Sequence, residues 1–525
     1  MSSRLPDRKR GWVWLAAGCG AGALVALSLP PFGWWPLAWV GFGVIAWLLP
    51  GLAVWSRVAL GAGLGAAQYT IGLFWVHEFS LPGCIALILW SSLYISLALA
   101  LVPTGRRRSV VLALPAVLIL ADWLRDRFPF GGLPLGEASL GQATGPLTPT
   151  LRLGGSLLLT GETVLVGVVL AEMVHLLKSW RDNRSPWLAG TSARGDMRMA
   201  WIALLTVTAG AVALPLLGSL SPSGAGGHVA PIRVALVQGG GPRGTRAINT
   251  DPAVVFGRHW TESRNLQPPL DLVVWPEGIL QSGNVAFNRT TEAAQIASLA
   301  AALHATVLVG VEQNVGATHF TNKVVAWGPN GQIVASYEKD HLVPFGEYIP
   351  FRSVLKHVVN LSAVPLDAIP GHKPGFLTTP AGPLGVMISY EVFFDSRARD
   401  AVRAGGQVLV VPTNTASYSS SQVPTQEVAA AQLRAWETGR WVLQVTPTGY
   451  TAVISPSGRV IKHSTLGQPA IISATVPMET GHTWFVDAGE SPVALAALAA
   501  AVLAWALAWP RSTAVRHRDR WSQRL

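Results

Sequence analysis

Acidic, basic and hydroxyl side chains follow three short apolar runs in the second half of the chain. Glu277 ends VVWPE, Lys339 lies in YEKDH, and Ser389 ends GVMIS. If the runs are strands of one layered α/β domain, their ends meet at one edge, where the active sites of such domains lie. A carboxylate, an ammonium group and a hydroxyl group there could act as general base, oxyanion stabiliser and nucleophile. Each residue also has a structural interpretation, as a turn cap, a solvated loop charge or a small strand residue.

The region that holds these residues, 219–490, has the pattern of a globular α/β domain. Short β-branched runs alternate with helical stretches, which is typical of layered α/β structures. The predicted strands are Arg233–Val237, Leu272–Trp275, Thr306–Val311, Lys323–Trp327, Leu384–Ile388, Val408–Val411 and Val442–Val445. The predicted helices are Pro252–Leu266, Asn288–His304, Arg397–Arg403 and Gln426–Thr438. The glycine-rich motifs of the P-loop and of dinucleotide-binding domains are both absent. We expect no cofactor.

The rest of the chain has the composition of a membrane protein. Half of the 525 residues are hydrophobic, only 13% are charged, and the mean hydropathy is +0.38, whereas a soluble domain carries about 25% charged residues. Eight apolar segments are candidates for transmembrane helices. They are Trp12–Leu29, Gly33–Leu49, Val58–Val76, Cys84–Val102, Val110–Leu124, Leu157–Leu177, Ala200–Gly218 and Pro492–Trp509. The cysteines, Cys19 and Cys84, lie inside these segments, which excludes a disulfide framework and a cysteine-ligated metal site.

Basic residues set the expected orientation of the eight segments. The net charge is +11, but no basic patch is interleaved with aromatic residues, which argues against nucleic-acid binding. The basic residues that flank the segments are Arg4, Arg8, Lys9, Arg10, Arg57, Arg106, Arg107, Arg108, Lys178, Arg181, Arg184, Arg194, Arg198, Arg511, Arg516, Arg518, Arg520 and Arg524. If all eight segments span, these residues share one side, which the positive-inside rule identifies as the cytoplasm. We therefore expect seven helices in residues 1–218, an extracytoplasmic domain in 219–490, and an eighth helix with a basic cytoplasmic tail in 491–525, with both termini in the cytoplasm.

The stretch after Lys339 is unusually apolar for a surface loop. Its apolar residues are Phe345, Tyr348, Ile349, Phe351, Val354, Leu355, Val358, Val359 and Leu361. The pattern fits a mobile arm that touches the membrane and gates the access of an acyl chain, and it fits an ordinary packed helix and loop equally well.

Longer motifs around the candidate residues resemble one enzyme family. WPEG at Trp275–Gly278, EKDHLVPFGEYIP at Glu338–Pro350 and the strand that ends in SYE at Ser389–Glu391 match the order of glutamate, lysine and nucleophile in the nitrilase superfamily. LVPFGEY is similar to the apolipoprotein N-acyltransferase branch, as are SLPPFGWWPLAW, ADWLRDRFPFGGLP and RAWETGR elsewhere in the chain. The resemblance covers nearly the whole chain. It implies an eight-helix transmembrane bundle with an αββα-type, nitrilase-like domain between helices seven and eight, in a bacterial inner membrane.

The resemblance also implies a role for each candidate residue. Glu277 matches the general base, Lys339 the oxyanion-stabilising lysine, and Glu347 a supporting carboxylate. Tyr390 and Glu391 follow the nucleophile position and would shape the pocket. The implied reaction moves an acyl chain from a phospholipid to the nucleophile, and then to the N-terminal amine of an apolipoprotein whose first residue is a diacylglyceryl-cysteine. The implied partners are therefore a phospholipid, an apolipoprotein and the bilayer.

Ser389 departs from the family, which has cysteine at this position. A serine hydroxyl group is far less acidic than a thiol, whose pKa is about 8.5, so it needs the help of a base during attack. The serine could be an engineered block, a natural change in an inactive or altered paralogue, or a slow nucleophile. A catalytically silent membrane scaffold or lipid-binding paralogue is therefore an alternative. Its partner would be a polyprenol-phosphate mannosyltransferase, contacted by the basic tail after Trp509.

A membrane-tethered amidase of the nitrilase type is a third hypothesis, in which water replaces the lipoprotein amine. The eight apolar segments and the apolar arm argue against it, because a soluble amide needs neither.

Overall fold

In the computed structural model, helices precede and follow a two-sheet domain. The structure describes residues 7–105, 107–182, 191–227, 229–241, 250–357, 361–362, 364–415 and 422–509. The helices before the domain are α1 (Asp7–Ser28), α2 (Pro36–Leu48), α3 (Val54–Gly72), α4 (Leu81–Leu101), α5 (Arg107–Arg125), α6 (Leu151–Asp182) and α7 (Thr191–Leu220). The helix Ser491–Ala508 follows the domain. Each of the eight predicted apolar segments thus forms a helix.

Within the described part of the chain, five helical stretches are long and apolar enough to cross a membrane. They are Gly11–Ser28, Leu81–Leu101, Thr148–Arg181, Arg198–Leu220 and Ser491–Ala508. The other predicted segments form shorter or more polar helices, because α2 has 13 residues, α3 contains Arg57, and α5 contains Asp122 and Arg125. Passage of all eight helices through the bilayer stays a prediction, as does the side on which the domain lies.

The domain contains two β-sheets. Its strands are β1 (Ile232–Gln238), β2 (Leu272–Val274), β3 (Leu280–Gln281), β4 (Thr306–Val315), β5 (His319–Trp327), β6 (Ile333–Glu338), β7 (Asp367–Ala368), β8 (Phe376–Thr379), β9 (Gly382–Val386), β10 (Val408–Pro412), β11 (Val442–Val445), β12 (Ala452–Ile454), β13 (Val460–His463) and β14 (Ala470–Val476). One sheet has the order β14-β1-β2-β4-β5-β6, with β3 on β4 and β7 on β5; the other has the order β13-β12-β11-β10-β9-β8. The pairs β1–β2, β2–β4, β9–β10 and β10–β11 are parallel. The carboxyl ends of these central strands therefore meet at one edge of each sheet.

Helices cover the outer face of each sheet. The domain helices are α8 (Pro252–Ser263), α9 (Thr291–Leu303), α10 (Arg352–Leu355), α11 (Asp395–Arg403), α12 (Gln422–Thr438) and α13 (Trp484–Ala488), and the helix Ser491–Ala508 is α14. One apolar core fills the space between the sheets, and two others pack α8 and α9 on the first sheet and α11 and α12 on the second. This arrangement confirms the layered α/β domain predicted from the residue pattern and the αββα order implied by the resemblance.

The second outer layer also packs against the apolar helices that precede the domain. Leu29 of the first helical hairpin and Leu159 of α6 share one buried core with Leu433 of α12. At this contact the Arg434 guanidinium donates a hydrogen bond of 2.6 Å to Ser156 Oγ of α6 and one of 2.9 Å to Glu437 Oε1. Arg434 and Glu437 are almost completely buried. The ion pair lies within α12, and its hydrogen bonds with Ser156 join this helix to α6.

We expect Arg434→Ala to lower the free energy of unfolding by about 3–5 kcal/mol, because it leaves the buried Glu437 carboxylate without its cation. The melting temperature of the detergent-solubilised full chain measures the effect. Arg233→Ala is the matched control, because its ion pair with Asp271 is exposed and surface pairs contribute little. Equal melting temperatures for the two variants would contradict the prediction.

Candidate active site

Glu277 lies in a tight turn after β2. Trp275 is fully buried in the core that packs α8 on the first sheet, and Pro276 and Glu277 follow it directly. The neighbouring strand β4 has a glycine beside this turn: a Cβ atom on Gly310 would lie 2.5 Å from Glu277 Cα. Only glycine at position 310 allows this approach, so β4 helps to place the Glu277 carboxylate.

Lys339 follows β6 directly and is almost completely buried. Its Nζ donates hydrogen bonds of 3.0 Å to Glu277 Oε1 and of 3.0 Å to Glu347 Oε1. Burial alone lowers the pKa of Lys339, but the carboxylates of Glu277 and Glu347 more than offset it, and the pKa is raised well above its usual value. Lys339 is therefore a permanent ammonium group between two carboxylates.

Asn322 of β5 completes this cluster. Its Nδ2 donates to Glu277 Oε1 over 2.7 Å and to Glu347 Oε1 over 2.9 Å. The sequence analysis did not identify Asn322. It lies just before the predicted strand Lys323–Trp327, between the polar residues Thr321 and Lys323, so no local signal distinguished it. Its burial shows its importance, since a buried amide requires hydrogen-bond partners.

Glu347 lies in a compact turn of the apolar stretch after Lys339. Its Oε2 accepts a hydrogen bond of 2.7 Å from the backbone N–H of Val343, and Phe345 at the tip has a φ of 61°. The turn thus folds back on its own carboxylate, and Glu347 connects it to Lys339.

Ser389 begins a helical turn just after β9, with a φ of 50°. A non-glycine residue in this left-handed region is uncommon and is strained by about 1–3 kcal/mol. The strained turn holds the half-buried side chain at the end of the parallel strands. Among the residues that the structure describes, the hydrogen-bond partner of Ser389 Oγ is the Thr413 hydroxyl group, 3.2 Å away.

Glu391 joins the Ser389 turn to the segment that follows Lys339. Its fully buried carboxylate accepts hydrogen bonds from Ile388 N at 2.7 Å, Asp340 N at 2.9 Å, His341 N at 3.2 Å and the Tyr337 hydroxyl at 2.7 Å. Through these contacts the residues next to Ser389 and next to Lys339, which are 50 positions apart in the chain, bind one carboxylate. Glu391 therefore sets the relative position of the two candidate residues.

Tyr390 faces the membrane helices. It is buried, and its hydroxyl group donates a hydrogen bond of 3.0 Å to the carbonyl oxygen of Gly132, in the segment after α5. Burial raises the pKa of Tyr390 above its usual value, so the hydroxyl group stays a donor. Tyr390 thus connects the Ser389 turn to the segment that follows α5.

The apolar stretch contacts the same segment. The rings of Phe345 and Phe351 lie 6.0 and 6.1 Å from the ring of Phe130. Phe345 is 54% exposed, Phe351 is 72% exposed, and the helix α10 that follows has only 4 residues. Val358 and Val359, also part of the predicted arm, lie outside the described residues. The stretch therefore presents aromatic side chains at its surface instead of packing as a long helix.

Thr413 and Glu427 adjoin Ser389 and were not identified from the sequence. Thr413 follows β10, and its hydroxyl group contacts both Ser389 Oγ and the buried carboxylate of Glu427 on α12. Burial raises the pKa of Glu427 to about 8, to which Glu277 adds, while the Thr413 hydrogen bond and Lys339 act in the opposite direction. Thr413 follows a predicted strand and could have been found by the rule that selected Glu277, but Glu427 lies on a helix that no motif connects with Ser389.

The described residues thus bring Glu277, Lys339 and Glu347 into direct contact, and Glu391 connects them to Ser389. In this part of the chain, no group of three or more histidine, cysteine, aspartate or glutamate side chains could hold a metal ion. The arrangement offers carboxylates for proton transfer, a fixed ammonium group for a developing negative charge, and a hydroxyl group on a strained turn.

Comparisons with known proteins agree on one family. Residues 21–169 match the family model described as "Apolipoprotein N-acyltransferase N-terminal domain", and residues 233–484 match "Carbon-nitrogen hydrolase". The chain is 30% identical to the apolipoprotein N-acyltransferase of Mycolicibacterium smegmatis over 97% of this chain and 86% of the relative. It is also 30% identical to that of Azotobacter vinelandii, over 95% of each. Among solved structures, an amidase from Nesterenkonia sp. is 17% identical with a TM-score of 0.37, over 50% of this chain and 95% of the amidase.

Proposed function

Since the chain belongs to the apolipoprotein N-acyltransferase family, we propose that it moves a fatty acyl chain from a phospholipid to the N-terminal amine of a diacylglyceryl-cysteine lipoprotein. The observation that carries the proposal is the contact of Glu277, Lys339 and Glu347 beside the strained Ser389 turn. The reaction has two halves, with an acyl-enzyme on residue 389 between them.

In the first half, Ser389 Oγ attacks the carbonyl carbon of a phospholipid ester. The carbonyl oxygen becomes an oxyanion, and a lysophospholipid leaves. Lys339 Nζ has three protons; in this proposal one is donated to Glu277 Oε1, and one is shared by the two oxygens of Glu347, which both lie 3.0 Å from Nζ. The remaining proton is available to the oxyanion, and a preorganised donor of this kind stabilises the transition state most strongly in a site that excludes water.

In the second half, the lipoprotein amine attacks the acyl-enzyme and must lose a proton. Glu277 is the general base in this proposal, because its carboxylate lies in the cluster and is nearly buried. It takes the amine proton and gives it to Ser389 Oγ when the bond from the acyl carbon to the serine oxygen breaks. Glu347 keeps Lys339 charged and in place, and Glu391 and Tyr390 hold the turn that carries the nucleophile. The acyl-enzyme is an oxygen ester, which is less reactive toward an amine than the thioester of the cysteine enzymes.

Both substrates are lipids, so we propose that the site opens toward the bilayer. The exposed rings of Phe345 and Phe351, next to Phe130 of the membrane half, support an acyl-chain entrance at this edge. Apolar aromatic side chains at an interface lower the free energy of contact with lipid.

We further propose that all eight helices cross the inner membrane, with both termini in the cytoplasm and residues 219–490 outside it.

A mannosyltransferase partner stays a prediction. The basic tail that would contact it, residues 510–525, lies outside the described residues, and neither family model nor the relatives named above is a glycosyltransferase.

Incubation of the full chain with phosphatidylethanolamine in detergent tests the function. We expect a mass increase of one acyl group on the Ser389 peptide and release of lysophosphatidylethanolamine, both absent from Ser389→Ala. Because an oxygen ester resists neutral hydroxylamine while a thioester is cleaved, the adduct should survive that treatment. A Ser389 peptide that stays unmodified, without lysophospholipid release, would contradict acyl transfer by this serine.

A further inference from the structure

We propose that Thr413 and Glu427 form a proton relay behind Ser389 that compensates for the low acidity of the serine hydroxyl group. The proposal rests on the proposed function and deepens it by naming the groups that serve the nucleophile. In it, Thr413 touches the reacting atom, and Glu427 is a positioning residue that acts through Thr413.

The geometry points to Thr413 instead of Glu277 as the immediate partner of Ser389. Within the described residues, no hydrogen bond joins Ser389 to Glu277, whose Oε1 already accepts from Lys339 and Asn322. Ser389 Oγ lies 3.2 Å from Thr413 Oγ1, and Thr413 Oγ1 is in short contact with Glu427 Oε1. The three side chains therefore form one hydrogen-bonded row, which begins at the nucleophile and ends at a buried carboxyl group.

A hydroxyl group carries one proton, so the direction of the row depends on Glu427. In the structure Thr413 Oγ1 is placed to donate to both Ser389 Oγ and Glu427 Oε1, although it has a single proton. When Glu427 is ionised, it takes the hydrogen bond from Thr413, and in the proposal Ser389 then turns its own proton to Thr413 Oγ1, which leaves a lone pair of Ser389 free for attack. When Glu427 is protonated, it donates to Thr413, and Thr413 donates to Ser389, which withdraws electron density from the nucleophile. Only the ionised form therefore prepares the serine.

The proton path balances for the first half-reaction. As Ser389 Oγ forms its bond to the carbonyl carbon, its proton passes to Thr413 Oγ1, and the Thr413 proton passes to Glu427 Oε1. When the bond from the carbonyl carbon to the lysophospholipid oxygen breaks, the Thr413 hydroxyl group gives its proton directly to that oxygen, and Glu427 returns its proton to Thr413. Glu277 is left free for the amine in the second half-reaction.

The surroundings of Glu427 give its carboxyl group a pKa that lies within the pH range of an assay. Burial raises its pKa to about 8, and among the described residues the charged groups that act on it are Glu277 and Lys339, with opposite effects. On the membrane side, the neighbouring turns of α12 contact neutral groups, since Gln422 and Gln426 donate to the carbonyl oxygen of Gly72. The fraction of ionised Glu427 should therefore rise about thirtyfold from pH 6.5 to pH 9, by the Henderson–Hasselbalch relation that also underlies linkage.

A fluorophosphonate with a long alkyl chain tests the relay without depending on lipid transfer. Its phosphorus is attacked by a serine oxygen, and fluoride leaves; intact mass and the Ser389 peptide report the rate. We expect labelling of the full chain to rise with pH and to level off above pH 8. Glu427→Gln and Thr413→Val should lose this plateau and label at least about tenfold more slowly at pH 9, whereas Thr413→Ser should retain the profile.

The controls separate this inference from the proposed function. Melting temperatures close to that of the unchanged chain exclude unfolding, and Ser389→Ala should not be labelled. A pH profile of Glu427→Gln or Thr413→Val equal to that of the unchanged chain, or no labelling of Ser389 at any pH, overturns the relay. Acyl-thioester formation by Ser389→Cys with phospholipid tests the function separately, because a thiolate does not need the relay.

Discussion

Replacement of Ser389 by cysteine should increase N-acylation of a diacylglyceryl-cysteine peptide strongly. A thiol near an ammonium group ionises readily, whereas a serine hydroxyl group must lose its proton during attack. A thioester also transfers its acyl group to an amine more readily than an oxygen ester does. We expect a gain on the order of a hundredfold, about 2.7 kcal/mol in activation free energy, for the complete reaction.

The assay compares the unchanged chain, Ser389→Cys and Ser389→Ala, each with phosphatidylethanolamine and the lipopeptide, and measures triacylated peptide by mass spectrometry. The Ser389→Cys variant should also form a hydroxylamine-sensitive adduct, which identifies the thioester. If neither the unchanged chain nor Ser389→Cys supports acylation, the silent scaffold hypothesis is favoured. If serine works as well as cysteine, the relay or another base makes the hydroxyl group fully competent.

Removal of the Lys339 ammonium group should lower both the stability of the protein and the rate of acyl-enzyme formation. Lys339→Met keeps most of the side-chain volume but leaves Glu277 and Glu347, both largely buried, as neighbouring carboxylates without a cation. Loss of one partner from a buried ion pair costs about 3–5 kcal/mol. Loss of an oxyanion donor slows chemistry by about 100- to 1000-fold. We therefore expect a lower melting temperature and almost no acyl-enzyme.

A double variant separates the two effects. Lys339→Met with Glu347→Gln removes one carboxylate charge along with the cation, so the melting temperature should recover in part while acyl-enzyme formation stays low. The experiment can use the Ser389→Cys background, where the signal is larger. Lys462→Met, on the exposed strand β13, is the control for loss of a lysine. Recovery of acyl transfer in the double variant would contradict the role of Lys339 as oxyanion donor.

The elements around the site were largely predictable from local pattern. Each of the seven predicted strands overlaps a strand of the structure, and Val442–Val445 agrees at both ends. These central strands are buried on both faces and therefore consist of consecutive apolar residues. Strands such as β13 and β14 were not predicted, and β6 was predicted only as a run of unstated bounds before Lys339. An edge or half-exposed strand mixes polar and apolar residues, as in IVASYE and VIKH.

Helix starts were less predictable than helix positions. The predicted helix Gln426–Thr438 begins at Gln422 in the structure, so Glu427 lies a full turn inside it. The polar residues before position 426 resemble a loop in the sequence. In the folded chain Gln422 instead donates to the carbonyl oxygens at the end of α3, Ile71 and Gly72, and tertiary hydrogen bonds of this kind extend a helix beyond its apolar pattern.

The sequence by itself determined that this chain has apolar helices around an α/β domain, and it identified Glu277, Lys339, Glu347 and Ser389 as candidates. The periodicity of apolar residues and the position of a residue directly after a strand are local properties, so both can be recognised from neighbouring residues in the sequence. Only the tertiary structure decided the contacts between these residues. It placed Asn322 between two carboxylates and Thr413 between Ser389 and Glu427, because hydrogen bonds between residues far apart in the chain depend on how the two sheets and α12 pack.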